Sequence, residues 1–535
     1  MTTIRRIGAV AALGGMVAAV ALLTGLPGAR ADDLSQLRAN QQLLQQRLDQ
    51  LEQQAALGAA PVPPGAPSLA GSFPRSFLIP GTNTSLQIGG YVNLDAVYFS
   101  QGASPNGSSA AAPPLEGAPV VAGTTLHQTG PGALTAPPFN ARTRNRYFAM
   151  SANESRFFIE TRTPTAWGQA RTHLELDMFG CAGSGGITCS NLNNSTNGNV
   201  PRLRLAYGTL GPFLAGQDFG PTLFLEASPT LFDFGGDVGI LGPGRGPQIR
   251  YTGQLPYGFS YIVAAYNPVT GTFTPTGALE NDSAGTGISG TNTAPTGLAI
   301  NPTRSRYPDG NFALRVERPW GSAQFGAVVR DLNLDDGRFI NKDYIGYGAG
   351  FGVHVIPGWL GFKRDNFGFN MFGGDGLGHY TSPTGTATNT WLGLATNFGG
   401  PAVGGYGTCN ANTPACLAID SKANAARVIA KTIPSWGFEA NYQHWWGFAS
   451  GLRSTISGGI MHQDIPTTLI GSPDSLPNGN AINYNKELIT AHVNIIWSPV
   501  AFIDTGFEYT YGHRHTIYNQ TGNLSAFDYT FRVRF

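Results

Sequence analysis

The chain has 535 residues and carries 33 Lys and Arg against 32 Asp and Glu. Only 12% of it is charged, against about 25% in an ordinary soluble domain, and Gly (73) and Pro (37) are abundant. The even balance argues against a nucleic-acid-binding protein, which usually carries a basic surface. The 41% hydrophobic and 11% aromatic content argues against a disordered chain. The length allows two to four ordinary domains or one large all-β domain.

Residues 1–31 have the pattern of a secretory signal peptide. Arg5 and Arg6 precede an apolar stretch over 7–26, and Ala29-Arg30-Ala31 provides an A-x-A cleavage site. A retained N-terminal membrane anchor is the alternative. Cleavage would remove three Arg and no acid, which leaves 30 basic and 32 acidic residues and a net charge of −2. No later apolar run has the roughly 18 residues of a membrane-spanning helix.

The cysteines form two local pairs, Cys181 with Cys189 and Cys409 with Cys416, in Gly-, Asn- and Thr-rich stretches. Export makes disulfides the prediction for both pairs. Zinc is the alternative, but the spacings do not fit and no nearby His completes a set of four ligands.

Residues 32–57 predict a short α-helical coiled coil, because apolar residues follow a heptad spacing without Gly or Pro. The predicted core residues are Leu34, Leu37, Leu44, Leu48 and Leu51. A lone helix with so narrow an apolar stripe would be marginal in water, so the pattern predicts self-association. A solvated amphipathic helix is the alternative. Residues 58–75 are rich in Pro, Gly and Ala and predict a linker.

From residue 76 to the C-terminus the pattern alternates with a period of two. Short turns alternate with long polar connections near 100–142, 180–200, 268–306, 380–424 and 462–484, as in an outer-membrane barrel. About sixteen strands fit, with weak segments at 144–151 and 344–355. The fold class predicted is therefore all-β: a transmembrane antiparallel β-barrel of about 16 strands over 76–535, preceded by the coiled coil.

One face of these strands carries charges and the other carries aromatic residues. In a closed barrel the charges point into the lumen and the aromatic face meets lipid, while closure pairs every backbone group as the bilayer requires. A secreted sandwich or solenoid is the alternative, since soluble sheets also alternate. The last strand ends in Phe535 after alternating aromatics, which resembles the assembly signal of Gram-negative outer-membrane proteins.

The sequence contains no P-loop, no H-E-x-x-H and no G-x-S-x-G. His513-Arg514-His515 is more typical of a solvated patch than of a metal site. We therefore predict no enzyme activity, no cofactor and no metal.

Charged residues on the inward faces predict the chemistry of a pore, since such residues set ionic preference. The basic ones are Arg156, Arg162, Arg171, Arg202, Arg204, Arg250, Arg315 and Arg330, and the acidic ones include Glu160, Glu175 and Asp177. Arg offers a rigid fork that suits carboxylates and phosphates, so a row of Arg on neighbouring strands would attract anions. The alternative is that Arg and Glu pair across the wall and only hold the barrel together.

Residues 220–246 have few strand signals but several apolar residues. We predict that this segment folds into the lumen and narrows it. Glu226, Asp233 and Asp237 would then face the Arg-rich wall.

Several blocks of sequence resemble the trimeric DcaP-like outer-membrane porins. They include SFLIPGTNTSLQIGGYVNLDAVY (76–98), SRFFIETRTPTAWGQARTHLELDMFG (155–180), RLRLAYGTLGPFLAGQ (202–217) and GGDGLGHY (373–380). The resemblance implies a sixteen-stranded homotrimer in the outer membrane of a Gram-negative bacterium, with the coiled coil in the periplasm. It also implies passive diffusion of small anionic solutes, with dicarboxylates as the family's proposed substrates.

The alternative function is an outer-membrane tether whose barrel anchors the coiled coil, with peptidoglycan as a partner. The expected partners of the porin are outer-membrane lipid, copies of itself, the barrel-assembly machinery and small anionic solutes, and no nucleic acid.

Deletion of residues 33–57 is expected to weaken or slow oligomer formation, because it removes the heptad core. Native gels of the full chain and the deletion variant measure this. Unaltered oligomers would make the segment dispensable.

Overall fold

The computed structural model describes residues 70–101, 146–180, 200–242, 244–268, 272–273, 303–335, 341–358, 364–381, 392–396, 428–447, 451–464, 485–516 and 521–535. The predicted signal peptide, the coiled coil with its leucine core, most of the linker and all four cysteines lie outside these residues. Those predictions stay predictions.

The described chain forms sixteen long barrel strands, as the alternating pattern predicts. They are β1 (Ser85–Gln101), β2 (Arg156–Thr165), β3 (Gly168–Gly180), β4 (Val200–Leu210), β5 (Phe213–Phe219), β6 (Arg245–Gln254), β7 (Phe259–Tyr266), β8 (Asp309–Arg318), β9 (Gly321–Asp335), β10 (Asn341–Val355), β11 (Asn366–Asp375), β12 (Pro434–Trp445), β13 (Leu452–Gln463), β14 (Asn485–Trp497), β15 (Ile503–Thr516) and β16 (Thr521–Arg534).

The sheet closes because β1 pairs antiparallel with both β2 and β16. Tyr91 is opposite Arg534 and Tyr98 is opposite Phe527 in the β1–β16 pair, while Ser85 is opposite Arg162 in the β1–β2 pair. Closure leaves no free sheet edge in the barrel, as a bilayer requires. Phe535 adds to the seam, since its N–H donates to the Gly90 carbonyl at 3.1 Å.

Shorter elements flank the barrel. Tyr147–Ser151 pairs with the C-terminal half of β1 and precedes β2. Phe77–Leu78 pairs with β1, and Thr303–Arg304 pairs with β9. Thr272–Phe273, Leu392–Thr396 and Val428–Thr432 form a separate small sheet. Two 3₁₀ turns occur at Leu225–Ala227 and Gly378–Thr381. No helix in the described ranges is both long and apolar enough to cross a membrane.

Side-chain exposure alternates along the strands. On β1, Val92 is 60% exposed while Asn93 is 0% exposed. Large apolar residues such as Ile249, Ile345 and Phe507 are exposed on other strands. The outer wall therefore presents an apolar belt suited to lipid, and the polar side chains line the lumen.

Residues 220–242, called the inward segment here, lie inside the barrel between β5 and β6. Glycines in the wall make room for its backbone. A Cβ on Gly368 of β11 would lie 1.9 Å from the Ala227 carbonyl oxygen, and one on Gly459 of β13 would lie 1.8 Å from that of Val238. Some of the unusual glycine content therefore serves to seat this segment.

Gly459→Ala is expected to destabilise the barrel by about 1–3 kcal/mol, the usual cost of overpacking, because its Cβ would collide with the Val238 carbonyl. Urea unfolding in lipid vesicles, followed by Trp fluorescence, measures the change. Gly373→Ala is the matched control, since the nearest atom to its new Cβ is 4.0 Å away. Equal stability of the two variants would contradict the tight seat.

Candidate functional site

The inward segment is held to the wall through its backbone. Both carboxylate oxygens of Glu508 on β15 accept backbone N–H groups, from Phe232 and Asp233, each at 2.8 Å. Asn494 on β14 donates to the Thr230 carbonyl at 2.9 Å. Asn441 on β12 donates to the Ala227 carbonyl at 2.6 Å. Side chains of the wall thus satisfy backbone groups that neither a helix nor a sheet pairs.

Two predicted acidic residues of the segment pair with a histidine. His492 on β14 lies 3.1 Å from Asp233 and 3.0 Å from Asp237. Thr490 also donates to Asp237 at 2.7 Å. The partner of both acids is therefore on β14. Asp233 and Asp237 also line one cavity with Arg202 and Arg204, so that they face the Arg-rich wall stays a prediction.

Glu226 is the predicted acidic residue that meets an arginine. It forms an ion pair with Arg315 of β8 and accepts a hydrogen bond from Ser322 at 2.6 Å. Burial raises the pKa of the Glu226 carboxyl, but these hydrogen bonds outweigh burial and hold the pKa below its ordinary value. The pair anchors the start of the segment in its charged form.

A cavity of about 310 Å³ remains between the inward segment and the wall. The segment lines it with apolar side chains that include Leu223, Leu231 and Phe234. The wall lines it with arginines: Arg156, Arg202, Arg204, Arg245 and Arg532. Apolar side chains and arginines thus line the cavity together with the carboxylates of Glu154, Asp233, Asp237 and Glu439.

The centre of this basic side is a cluster of four charges on β3 and β4. Arg202 binds Asp177 with two hydrogen bonds of 3.0 and 2.8 Å. Arg204 bridges Glu175 at 2.7 Å and Asp177 at 2.9 Å. Both guanidinium groups also lie over the ring of Phe234, at 5.9 and 5.3 Å. Two of the predicted arginines therefore lie side by side here on β4, each bound to the predicted acids of β3.

A β-bulge brings Arg204 into this cluster. Leu203 and Leu205 pair with neighbouring residues of β3, so Arg204 is an extra residue in β4. Gln217 on β5 donates its amide to the Leu203 carbonyl at 3.1 Å and to the Arg204 carbonyl at 2.9 Å. The bulge therefore aims an additional side chain inward without leaving its carbonyls unpaired.

Arg532 and Arg156 lie beside the cluster, and both contact the ring of Tyr91. Arg532 donates to Glu154 at 2.6 Å and to Asn93 at 2.9 Å. The two guanidinium groups lie 4.6 and 5.1 Å from the Tyr91 ring. Arg156 also lies 3.5 Å from Glu175.

The other predicted arginines lie apart from the cavity. Arg162 and Arg171 both bind Glu160, each at 2.6 Å, and Arg250 pairs with Asp218 at 3.0 Å. These three arginines are not among the residues that line the cavity, and they extend the charged wall beyond it.

Arg330 differs most from the expectation of a pore-lining residue. It is only 1% exposed, pairs with Asp309 at 3.1 Å, and donates to the Leu377 carbonyl at 2.7 Å. The turn Gly378–Thr381 packs over it, and the Arg330 guanidinium lies 5.3 Å from the centre of the Tyr380 ring. Arg330 is a buried structural residue, because a second piece of chain fills this part of the lumen.

Sequence reasoning missed Arg245 and Glu154. Alternation from Arg250 places Arg245 on the outer face, but it stands at the first position of β6, where the chain emerges from the lumen. Glu154 lies in the short stretch before β2, where no period applies. In the described part of the chain, no group of three or more His, Cys, Asp or Glu has a metal-binding arrangement.

Comparison with known proteins finds one matching family model and several similar folds. The family model of the DcaP outer membrane protein matches residues 122–265 and 439–535. The crystal structure of the outer membrane channel DcaP of Acinetobacter baumannii is similar, with a TM-score of 0.55 and 17% identity over 87% of this chain and 100% of that one. At that identity the likeness shows the fold.

Two further solved structures are more distant. An anion-selective porin from Comamonas acidovorans has a TM-score of 0.43 and 9% identity, over 84% of this chain and 100% of that one. Pseudomonas putida OprB has the same score and identity, over 84% and 94%. No curated protein sequence matches the chain.

Glu508→Ala is expected to loosen the inward segment, because two backbone N–H groups lose their acceptor. A loss of about 2 kcal/mol is reasonable for such groups and corresponds to a roughly 30-fold larger population of detached segment. Open-channel current noise in single-channel recordings measures it. Asp343→Ala, at an exposed carboxylate that pairs with Arg306, is the control, and equal noise in both variants would argue that Glu508 is not the clamp.

Proposed function

We propose that the chain belongs to the DcaP outer membrane protein family, whose model matches residues 122–265 and 439–535, and that its barrel is a passive pore for small, preferably anionic solutes. The family and the barrel fold are those of an outer-membrane channel of Gram-negative bacteria. The observation that supports anion preference is the cavity whose wall side carries five arginines. Dicarboxylates are the substrate class that the resemblance implies.

The proposed path runs through the space that the inward segment leaves open. The segment contacts β8, β9 and β11 to β15, so the open side lies against β1 to β6 and β16. On that side the arginines outnumber the nearby carboxylates of Glu154, Glu175 and Asp177. Charged residues at the narrow part of a pore set its ionic preference, so a basic excess there favours anions.

The proposed assembly is a homotrimer in outer-membrane lipid, with the short turns at the periplasmic end and the coiled coil of 32–57 in the periplasm. Short turns at that end are usual for such barrels. Assembly by the barrel-assembly machinery is proposed from the terminal Phe535. The tether to peptidoglycan remains the second candidate function, and absence of conductance in planar bilayers would favour it.

In a salt gradient across a planar bilayer, the reversal potential of the wild-type protein is expected to show anion preference. Replacing both Arg202 and Arg204 with Ala should weaken or reverse it, since two positive charges beside Asp177 and Glu175 would be removed. A cation-selective wild type would contradict the proposal.

A further inference from the structure

We propose that Arg245 is the residue that chiefly determines the anion preference of the pore. This inference rests on the proposed function and identifies a specificity determinant within it. The five cavity arginines differ in how far a neighbouring carboxylate balances their charge.

Three of the five cavity arginines are neutralised within the wall. Arg202 pairs with Asp177 through two hydrogen bonds. Arg204 bridges Glu175 and Asp177, and Arg532 pairs with Glu154. Because each has a carboxylate at 2.6–3.0 Å, an incoming anion competes with a resident one.

The charge of Arg156 is balanced less completely than the charges of these three arginines. It lies 3.5 Å from Glu175, a carboxylate that it shares with Arg204, and it also contacts the Tyr91 ring. Its charge is therefore only partly balanced.

Arg245 has no ion pair with any described residue. Its guanidinium lies 5.9 Å from the Phe219 ring, and the side chain is partly exposed in the cavity. The carboxylates that line the cavity have other partners: Glu154 binds Arg532, Asp233 and Asp237 bind His492, and Glu439 accepts from Asn370. A permeating anion can therefore bind Arg245 without competing with a carboxylate of the protein.

The position strengthens the effect. Arg245 begins β6 directly after the inward segment, so its charge sits where that segment has already narrowed the lumen. A unit charge roughly 8 Å from the path in water changes the occupancy of a passing ion by about twofold. Anions and cations respond oppositely, so loss of the charge is expected to lower the anion-to-cation permeability ratio roughly fourfold.

The experiment uses the full chain in planar bilayers, with reversal potentials in potassium chloride gradients. Arg245→Gln should lower the permeability ratio roughly fourfold, and Arg245→Lys should retain most of it. Arg306→Gln is the matched control: it removes the same charge from an exposed pair with Asp331, and the ratio should stay as in the wild type. The double variant Arg202→Gln, Asp177→Asn removes a neutral pair, and its ratio should fall less than that of Arg245→Gln.

The outcomes separate this inference from the proposed function. An anion-preferring wild type whose ratio is unchanged in Arg245→Gln would overturn the role of Arg245 and leave the pore in place. A larger fall in the double variant than in Arg245→Gln would also overturn it. A wild type without conductance, or with cation preference, would instead overturn the proposed function, and the inference with it. Heat-modifiable mobility on gels checks that Arg245→Gln folds. If that variant does not fold, the permeability ratio of Arg245→Lys decides. A roughly fourfold fall in that ratio, although the positive charge is kept, would overturn the inference.

Discussion

Backbone groups placed inside a barrel must find hydrogen-bond partners, and the lumen of this protein is organised around that constraint. The wall strands pair with one another all the way round, but the inward segment has no strand to pair with. Its N–H and C=O groups are satisfied by Glu508, Asn494 and Asn441, which project from three different strands. An unpaired buried group costs roughly as much as a lost hydrogen bond, so these side chains determine where the segment can lie.

This arrangement divides the lumen into two halves with different chemistry. On the half that the segment covers, glycines such as Gly368 and Gly459 bring the backbones close together, and carboxylates serve as acceptors for N–H groups. On the open half, the carboxylates pair with arginines instead. Glu508 and Asp177 are both buried inward-facing acids, yet one holds backbone and the other holds a guanidinium. The side chain type alone does not distinguish the two uses.

That limit explains how far sequence reasoning reached. The period of two predicted sixteen antiparallel strands and which residues face inward, because alternation is a local property of an extended chain. It also indicated that residues 220–246 fold inward, since an apolar stretch without strand signals needs something to pack against. Which partner each inward charge meets is a long-range property. Asp237 and His492 are 255 residues apart, and no pattern within either strand connects them.

Arg245 and Arg330 depart from the sequence expectation because chain from outside the regular strands reaches them. Arg245 stands at the start of β6, where the inward segment ends, and Arg330 lies on a regular part of β9 but is covered by the turn Gly378–Thr381. Irregularities of this kind concentrate at functional sites because they re-aim side chains that a regular strand would place elsewhere. The near-neutral composition of the chain is therefore compatible with a selective pore. Most inward charges cancel in pairs, and the sign of the field at the narrow part depends on the few cations whose position gives them no carboxylate.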